Sequence, residues 1–263
     1  MSLAACAAAH ASIAFIDPIL ASAVPEAKSW YSAAARTVVV LPETGTSATL
    51  YADIEAKKPR SIALSPLLGS EIAAILGRDD HTAVVYAGPT SPEPHPRLFS
   101  ATFAIDQAAR MAGTMLATSA HSTSGGLVCA VFAGYQPQMA ARAADAFSQA
   151  YEQAKGAAAV RLITVTEPFS QTAAEELRAL DIRAAFVSAP EDETERWIAQ
   201  AFDRSTMIIA ARAFPVRTSL TMASVQLVWD MKTTLRLIEE RLKTGKSGDN
   251  PGIWQAFPSK ATR

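Results

Sequence analysis

Short apolar runs alternate along this chain with stretches of helical periodicity. SIAFID (12–17), TVVVL (37–41), SIALS (61–65), TAVVYAG (82–88) and LFSATF (98–103) are brief and rich in branched residues, and they read as strands. PEAKSWYSAAA, LYADIEAKK and EIAAILG lie between them and read as helices. PTSPEPHPR (89–97) carries four prolines in nine residues, which forces an extended loop. AIDQAARMAGTMLATSA (104–120) predicts a long helix. HSTSGG (121–126) is short and polar and divides the chain nearly in half, so it is the predicted boundary.

The rhythm then restarts. LVCAVFAG (127–134), VRLITVT (160–166), IRAAFVSA (182–189) and TMIIAARAF (206–214) read as strands. QMAARAADAFSQAYEQAKG, SQTAAEELRAL and ETERWIAQAF read as helices, the first stopping at Gly156, the second capped by Ser170 or Thr172. SLTMASVQLVWDMKTTLRLIEERLKTG closes in a long amphipathic helix; GDNPG reads as a turn and GIWQAF as a short final strand. Alternating β and α elements whose strands lack polar alternation mean parallel sheets covered by helices on both faces. The expected fold is α/β: two Rossmann-like lobes, hinged, lobe 1 over 11–120 with 224–244 and lobe 2 over 125–218 with 250–258.

Composition narrows the function classes. At 263 residues, 49% of them hydrophobic and 19% charged, the chain can bury a sizeable core. The 24 basic and 25 acidic residues nearly cancel and form no basic run, so nothing points to nucleic acid. No apolar run approaches the roughly 18 residues of a membrane span. Cys6 and Cys129 do not suggest a disulfide framework, and Cys129 in LVCAVF reads as a buried thiol.

Leu3-Ala4-Ala5-Cys6 resembles the bacterial lipobox. That resemblance implies a lipid anchor on Cys6, with residues 1–10 as a leash that opens on Met1-Ser2-Leu3 in place of a leader. SATFAIDQAARMAGTMLATSAHSTSGGLVCAVFAG resembles the first crossover of the type I periplasmic-binding-protein fold, and QMAARAADAFSQAYEQA the helix that follows it. SLTMASVQLVWDMKTTLRLIEERLKTG resembles the return crossover and the lobe 1 helix after it. The nearest branch is the basic membrane protein family of substrate-binding lipoproteins, some of which bind nucleosides. The resemblance implies an extracytoplasmic solute-binding lipoprotein, periplasmic or at the cell surface. It would capture a small polar ligand, a nucleoside or sugar, between two lobes and hand it to a membrane transporter permease.

In parallel α/β sheets ligands bind beyond the carboxyl ends of the strands. The expected ligand-binding residues are therefore Asp17, Glu43, Thr44, Thr46, Ser65, Tyr135, Glu167, Phe169, Ser188 and Arg212. The hydroxyls and amides of ETGTSAT suit an anion at a helix N-terminus, unless Thr46 or Ser47 simply caps that helix. Asp17 either accepts from ligand hydroxyls or caps the next helix. Tyr135 and Phe169 can stack on a ring or serve packing. Arg212 can clamp an anion or join a structural ion pair.

Catalytic motifs are absent from the sequence: there is no G-x-G-x-x-G after the first strand, no G-x-x-x-x-G-K-[ST] and no G-x-S-x-G. His10, His81, His95 and His121 have neither nucleophile partners nor metal-ligand spacing. The expectation is a binding protein without cofactor or metal. An interaction protein without a small ligand, structural or sensory, is the alternative, because charged and amide groups are sparse at the strand ends.

Overall fold

The computed structural model describes residues 12–78, 80–119, 127–155, 163–165, 168–189, 191–212 and 223–258. They form two compact units built from interleaved segments: unit 1 holds the chain up to Phe103 and Asp230–Ile253, unit 2 holds Ala104–Trp229 and the chain from Trp254.

Unit 1 contains β1 (Ser12–Ile16), α1 (Pro18–Ala23), α2 (Ala27–Tyr31), β2 (Thr37–Val40), α3 (Thr46–Lys57) and β3 (Ser61–Leu64). A 3₁₀ turn (Pro66–Glu71), α4 (Ile72–Arg78), β4 (Ala83–Gly88) and β5 (Leu98–Thr102) follow. Later in the chain come α9 (Met231–Thr244) and β11 (Gly248–Pro251). The sheet order is β11-β5-β4-β3-β1-β2, with every pairing parallel. Phe15, Ile62, Leu64, Val84 and Tyr86 from the strands pack with Leu50, Ile72 and Ile75 from α3 and α4 on one face. α9 packs on β4 and β5 and against α2. Its start is fixed by the Asp230 carboxylate accepting from Thr233 N–H, and its stop by Gly245 at φ 70°.

Unit 2 contains α5 (Ile105–Thr118), β6 (Leu127–Phe132), α6 (Pro137–Lys155), β7 (Ile163–Val165), α7 (Gln171–Arg178) and β8 (Ile182–Ser188). It continues with α8 (Glu191–Ala201), β9 (Met207–Ala211), β10 (Val225–Trp229) and β12 (Trp254–Pro258). The order is β12-β10-β9-β8-β6-β7, parallel except for β12, which runs antiparallel to β10. One face is covered by α5 and α6, whose Ala108, Ala112, Ala143 and Phe147 pack on Val128, Phe186 and Leu227. The other face carries Trp197, Ile198, Phe202 and Leu177 against Val131, Val187 and Ile208. The Ser170 hydroxyl caps α7, accepting from Ala173 N–H.

The α/β class, the parallel strands and the helices on both faces of unit 2 agree with the expectation. The division of the chain differs from it. α5 belongs to unit 2, not lobe 1, because its stripe of Ala108, Ala109, Ala112 and Gly113 seats against α6. The change of unit falls after Phe103, whereas HSTSGG, with residues 120–126, lies outside the described residues. β10, expected with lobe 1, joins the sheet of unit 2. GDNP is a strand, not a turn: it pairs in register with β5, Asp249 opposite Ser100.

Candidate functional site

The carboxyl ends of β1 and β3 bring Asp17 and Ser65 together across 48 residues of sequence. The Ser65 hydroxyl donates to Asp17 Oδ2 at 2.7 Å and accepts from Asp17 N–H at 2.9 Å. Asp17 Oδ1 accepts from Leu20 N–H at 2.7 Å and so caps α1. Both residues are buried, and their groups satisfy one another. The cap that the sequence allowed for Asp17 is present.

Glu43 and Thr44 lie exposed in the loop after β2. Neither Thr46 nor Ser47 caps α3. The cap position is Gly45, at φ 70°, and it makes no side-chain cap. Thr46 Oγ1 donates instead to Pro42 O at 2.8 Å, and Ser47 Oγ to Glu71 Oε1 at 2.8 Å. Tyr51 donates its hydroxyl to Glu71 Oε2, and the Arg78 guanidinium sits 4.0 Å above the Tyr51 ring. Burial, then the hydrogen bond to Glu71 and its charge, push the Tyr51 phenol up to about 12, against a lowering by Arg78.

The group in unit 1 that sequence reasoning missed is Asp249. Its carboxylate accepts from Ser100 Oγ at 2.8 Å, Thr102 Oγ1 at 2.7 Å and Ser91 Oγ at 3.1 Å. Asp249 is exposed, and three bonds leave part of its acceptor capacity unused. Tyr86, at the end of β4, donates to Pro66 O at 3.2 Å beside this cluster, and burial raises its phenol, with Thr90 lowering it and Asp249 raising it. The alternating Ser100 and Thr102 on β5 were the available sign. Their partner was hidden because GDNPG has turn composition.

In unit 2, Tyr135 after β6 and Ser188 at the end of β8 meet, hydroxyl to hydroxyl, at 2.9 Å. Burial raises the Tyr135 phenol, and the bond to Ser188 opposes it. Phe169 packs edge-on to buried Trp197, centroids 5.3 Å apart, and its N–H donates to Glu193 Oε2. Its packing role is thereby observed. Arg212 is 2% exposed, its Nη2 lies 3.6 Å from Glu195 Oε1, and its N–H donates to Leu227 O. Glu167 and Cys6 lie outside the described residues. Among the described residues no cluster of His, Cys, Asp or Glu has the makings of a metal site, and no helix is long and apolar enough to cross a membrane.

Unit 1 also has cavities away from these groups. One of about 1090 Å³ is lined by Ser12, Arg36, Arg60, Ser61 and His81 with Glu239 and Lys243. These residues stand at the amino ends of the strands and the end of α9, on the edge opposite the loops described above.

No family model matches the chain, and neither does any curated protein. Solved structures do. A glucose-galactose binding protein from Geobacillus stearothermophilus is 16% identical with a TM-score of 0.57, over 96% of this chain and 99% of that one. A solute-binding protein of an ABC transporter system from Conexibacter woesei gives 12% and 0.61, over 94% and 88%. A carbohydrate transporter solute-binding protein from Agrobacterium radiobacter, in complex with D-arabinose, gives 12% and 0.55, over 97% and 96%. These likenesses show the fold: two α/β units of the type I periplasmic-binding-protein kind.

Proposed function

We propose that this chain is an extracytoplasmic solute-binding protein that takes a small hydroxyl-bearing solute, a sugar or nucleoside, at the carboxyl ends of its parallel strands. The likeness in fold to solute-binding proteins over nearly the whole chain is the observation that supports it. In unit 1 the exposed Asp249 carboxylate, steadied by three hydroxyls, is the acceptor for ligand hydroxyls, with Thr102 and Ser91 beside it. In unit 2 the Tyr135 ring gives the stacking face, and the Ser188 contact fixes its orientation. Nothing in this role calls for catalysis or a cofactor. In the same reading the solute passes to a membrane transporter permease, and the chain is held at the membrane by a lipid on Cys6.

The test is a thermal-shift screen on protein that has been unfolded, dialysed and refolded, against nucleosides, sugars, amino acids and small carboxylates. A ligand at about 100 times its Kd stabilises by roughly 2.7 kcal/mol. A hit among sugars or nucleosides that Asp249→Asn abolishes supports the reading. A full panel without a shift refutes it. That result would favour an interaction protein, a reading that rests on the internally satisfied Asp17–Ser65 pair and on the exposed Ile19 and Leu67 that follow β1 and β3.

A further inference from the structure

The amino-terminal edge of the unit 1 sheet is built differently from its carboxyl edge. The cavity of about 1090 Å³ adjoins a second of about 750 Å³, and the two share Arg60 and His81 in their linings. Among the described residues, five basic side chains, Arg36, Lys58, Arg60, Arg78 and Lys243, and two carboxylates line them. Each carboxylate already answers one cation: Glu55 lies 3.8 Å from Arg78, and Glu239 lies 3.1 Å from Lys243. Among the described residues of the lining, cations outnumber carboxylates five to two, on a chain whose net charge is −1.

The topology accounts for the gathering. Arg36, Arg60 and His81 each stand just before a strand, β2, β3 and β4 in turn. Parallel strands about 4.8 Å apart bring the residues that precede them to one edge. Lys243 arrives on the last turn of α9, which packs on the same sheet. Lys58 is held at φ 44°, the one left-handed non-glycine position among the described residues, where its N–H closes α3 on Ile54 O. A left-handed C-cap favours glycine or asparagine, so a lysine there adds backbone strain to like-charge repulsion. An anion of matching charge offsets that repulsion.

We propose that this basin is a second binding site, separate from the carboxyl rim, that takes a phosphate-bearing anion of two or more negative charges. Guanidinium forks match phosphate oxygens two at a time, and three arginines line the basin. A singly charged carboxylate neutralises less of the excess. The phosphate can belong to a soluble ester or to an anionic phospholipid headgroup. The site stands whether or not a sugar or nucleoside binds at the other edge.

Full-length protein is titrated by calorimetry with sodium pyrophosphate in low-salt buffer, and separately sedimented with phosphatidylglycerol and with phosphatidylcholine vesicles. Saturable pyrophosphate binding is expected, weakened tenfold or more in Arg36→Gln/Lys243→Gln and unchanged in Arg178→Gln/Arg183→Gln, which removes the same charge from unit 2. A second pair, Lys58→Gln/Arg78→Gln, gives the same loss, and melting curves of all variants establish that they fold. Binding of pyrophosphate without vesicle sedimentation assigns a soluble ester. Sedimentation with phosphatidylglycerol alone, relieved by pyrophosphate and lost in the basin variants, assigns a headgroup. Absence of both, or binding that the two basin pairs leave unchanged, overturns the proposal.

Discussion

Gly113→Ala is the substitution whose sign depends most directly on the packing of α5 against α6. In an isolated helix the change is favourable by up to about 1 kcal/mol, because alanine is the best helix former and glycine among the worst. In unit 2 a Cβ at residue 113 would lie 2.5 Å from the Phe147 carbonyl oxygen, 3.2 Å from Tyr151 N and 3.3 Å from Ala150 Cβ. Ordinary contact begins at 3.4 Å, so the two helices must part by about 0.9 Å, and the nearest obstacle is backbone rather than a movable side-chain tip. Parting them loosens the layer formed by Ala108, Ala112, Ala140, Ala143 and Phe147 over the sheet. Overpacking of this kind costs about 1–3 kcal/mol, which exceeds the propensity gain. Gly77→Ala is the matched comparison, since Gly77 is an exposed residue of α4 with nothing within 4 Å of its would-be Cβ. Urea unfolding followed by circular dichroism should show Gly113→Ala lowering the midpoint and Gly77→Ala raising it or leaving it unchanged. If both variants gain stability together, the close approach of α5 and α6 is not a property of the folded chain.

Ser65→Ala strips the buried Asp17 of one donor and one acceptor, which should cost about 1–3 kcal/mol in urea unfolding. If solute affinity falls while stability holds, Asp17 belongs to the ligand and not to α1. The Cys129 thiol is fully buried, and burial pushes its pKa up to about 12, so in Cys6→Ser Ellman's reagent should label it only at the rate of unfolding; fast labelling of that folded variant would contradict its place in β6. Tyr51 carries a pKa raised from 10.0 to about 12 in the folded chain, so its protonated form is favoured there. Its contribution to stability is therefore intact below pH 10 and lost as pH rises through about 12. Alkaline melts of Tyr51→Phe should fall less steeply over that window than those of the native chain, and equal slopes would deny the Glu71 bond that role.

Much of the strand framework was legible because central parallel strands must be apolar on both faces. SIAFI, SIAL, AVVYAG and LVCAVF announce themselves on that ground. Edge strands escape the rule. GDNP has no strand propensity at all, and it is a strand because β5 offers it a partner and two hydroxyls for Asp249, with Ser91 of the preceding loop adding a third. VQLVW ran unbroken into the amphipathic pattern of α9, and only Asp230, as N-cap, marks the junction. The assignment of α5 failed because a small-residue stripe says that a close neighbour exists without saying which. The same limit governs the site. Position at a strand end nominated Tyr135 and Ser188 separately, yet their meeting joins residues 53 apart and follows from β6 and β8 being neighbours. It equally nominated Asp17 and Ser65, which turn inward to each other, and a sequence does not reveal which way a polar group at a strand end will face.

The interleaving of the two units sets a schedule for biosynthesis. Residues 12–103 leave the ribosome with five strands of the unit 1 sheet, but its outer strand β11 and its covering helix α9 lie beyond residue 230. Until they emerge, the edge of β5 and the apolar face that α9 covers stay open, throughout the synthesis of nearly all of unit 2. Unit 2 in turn waits for β12, the last strand among the described residues, to close its own edge at β10. Neither sheet closes its edge early, so a nascent chain must be kept from pairing with its neighbours until β11 and β12 have emerged.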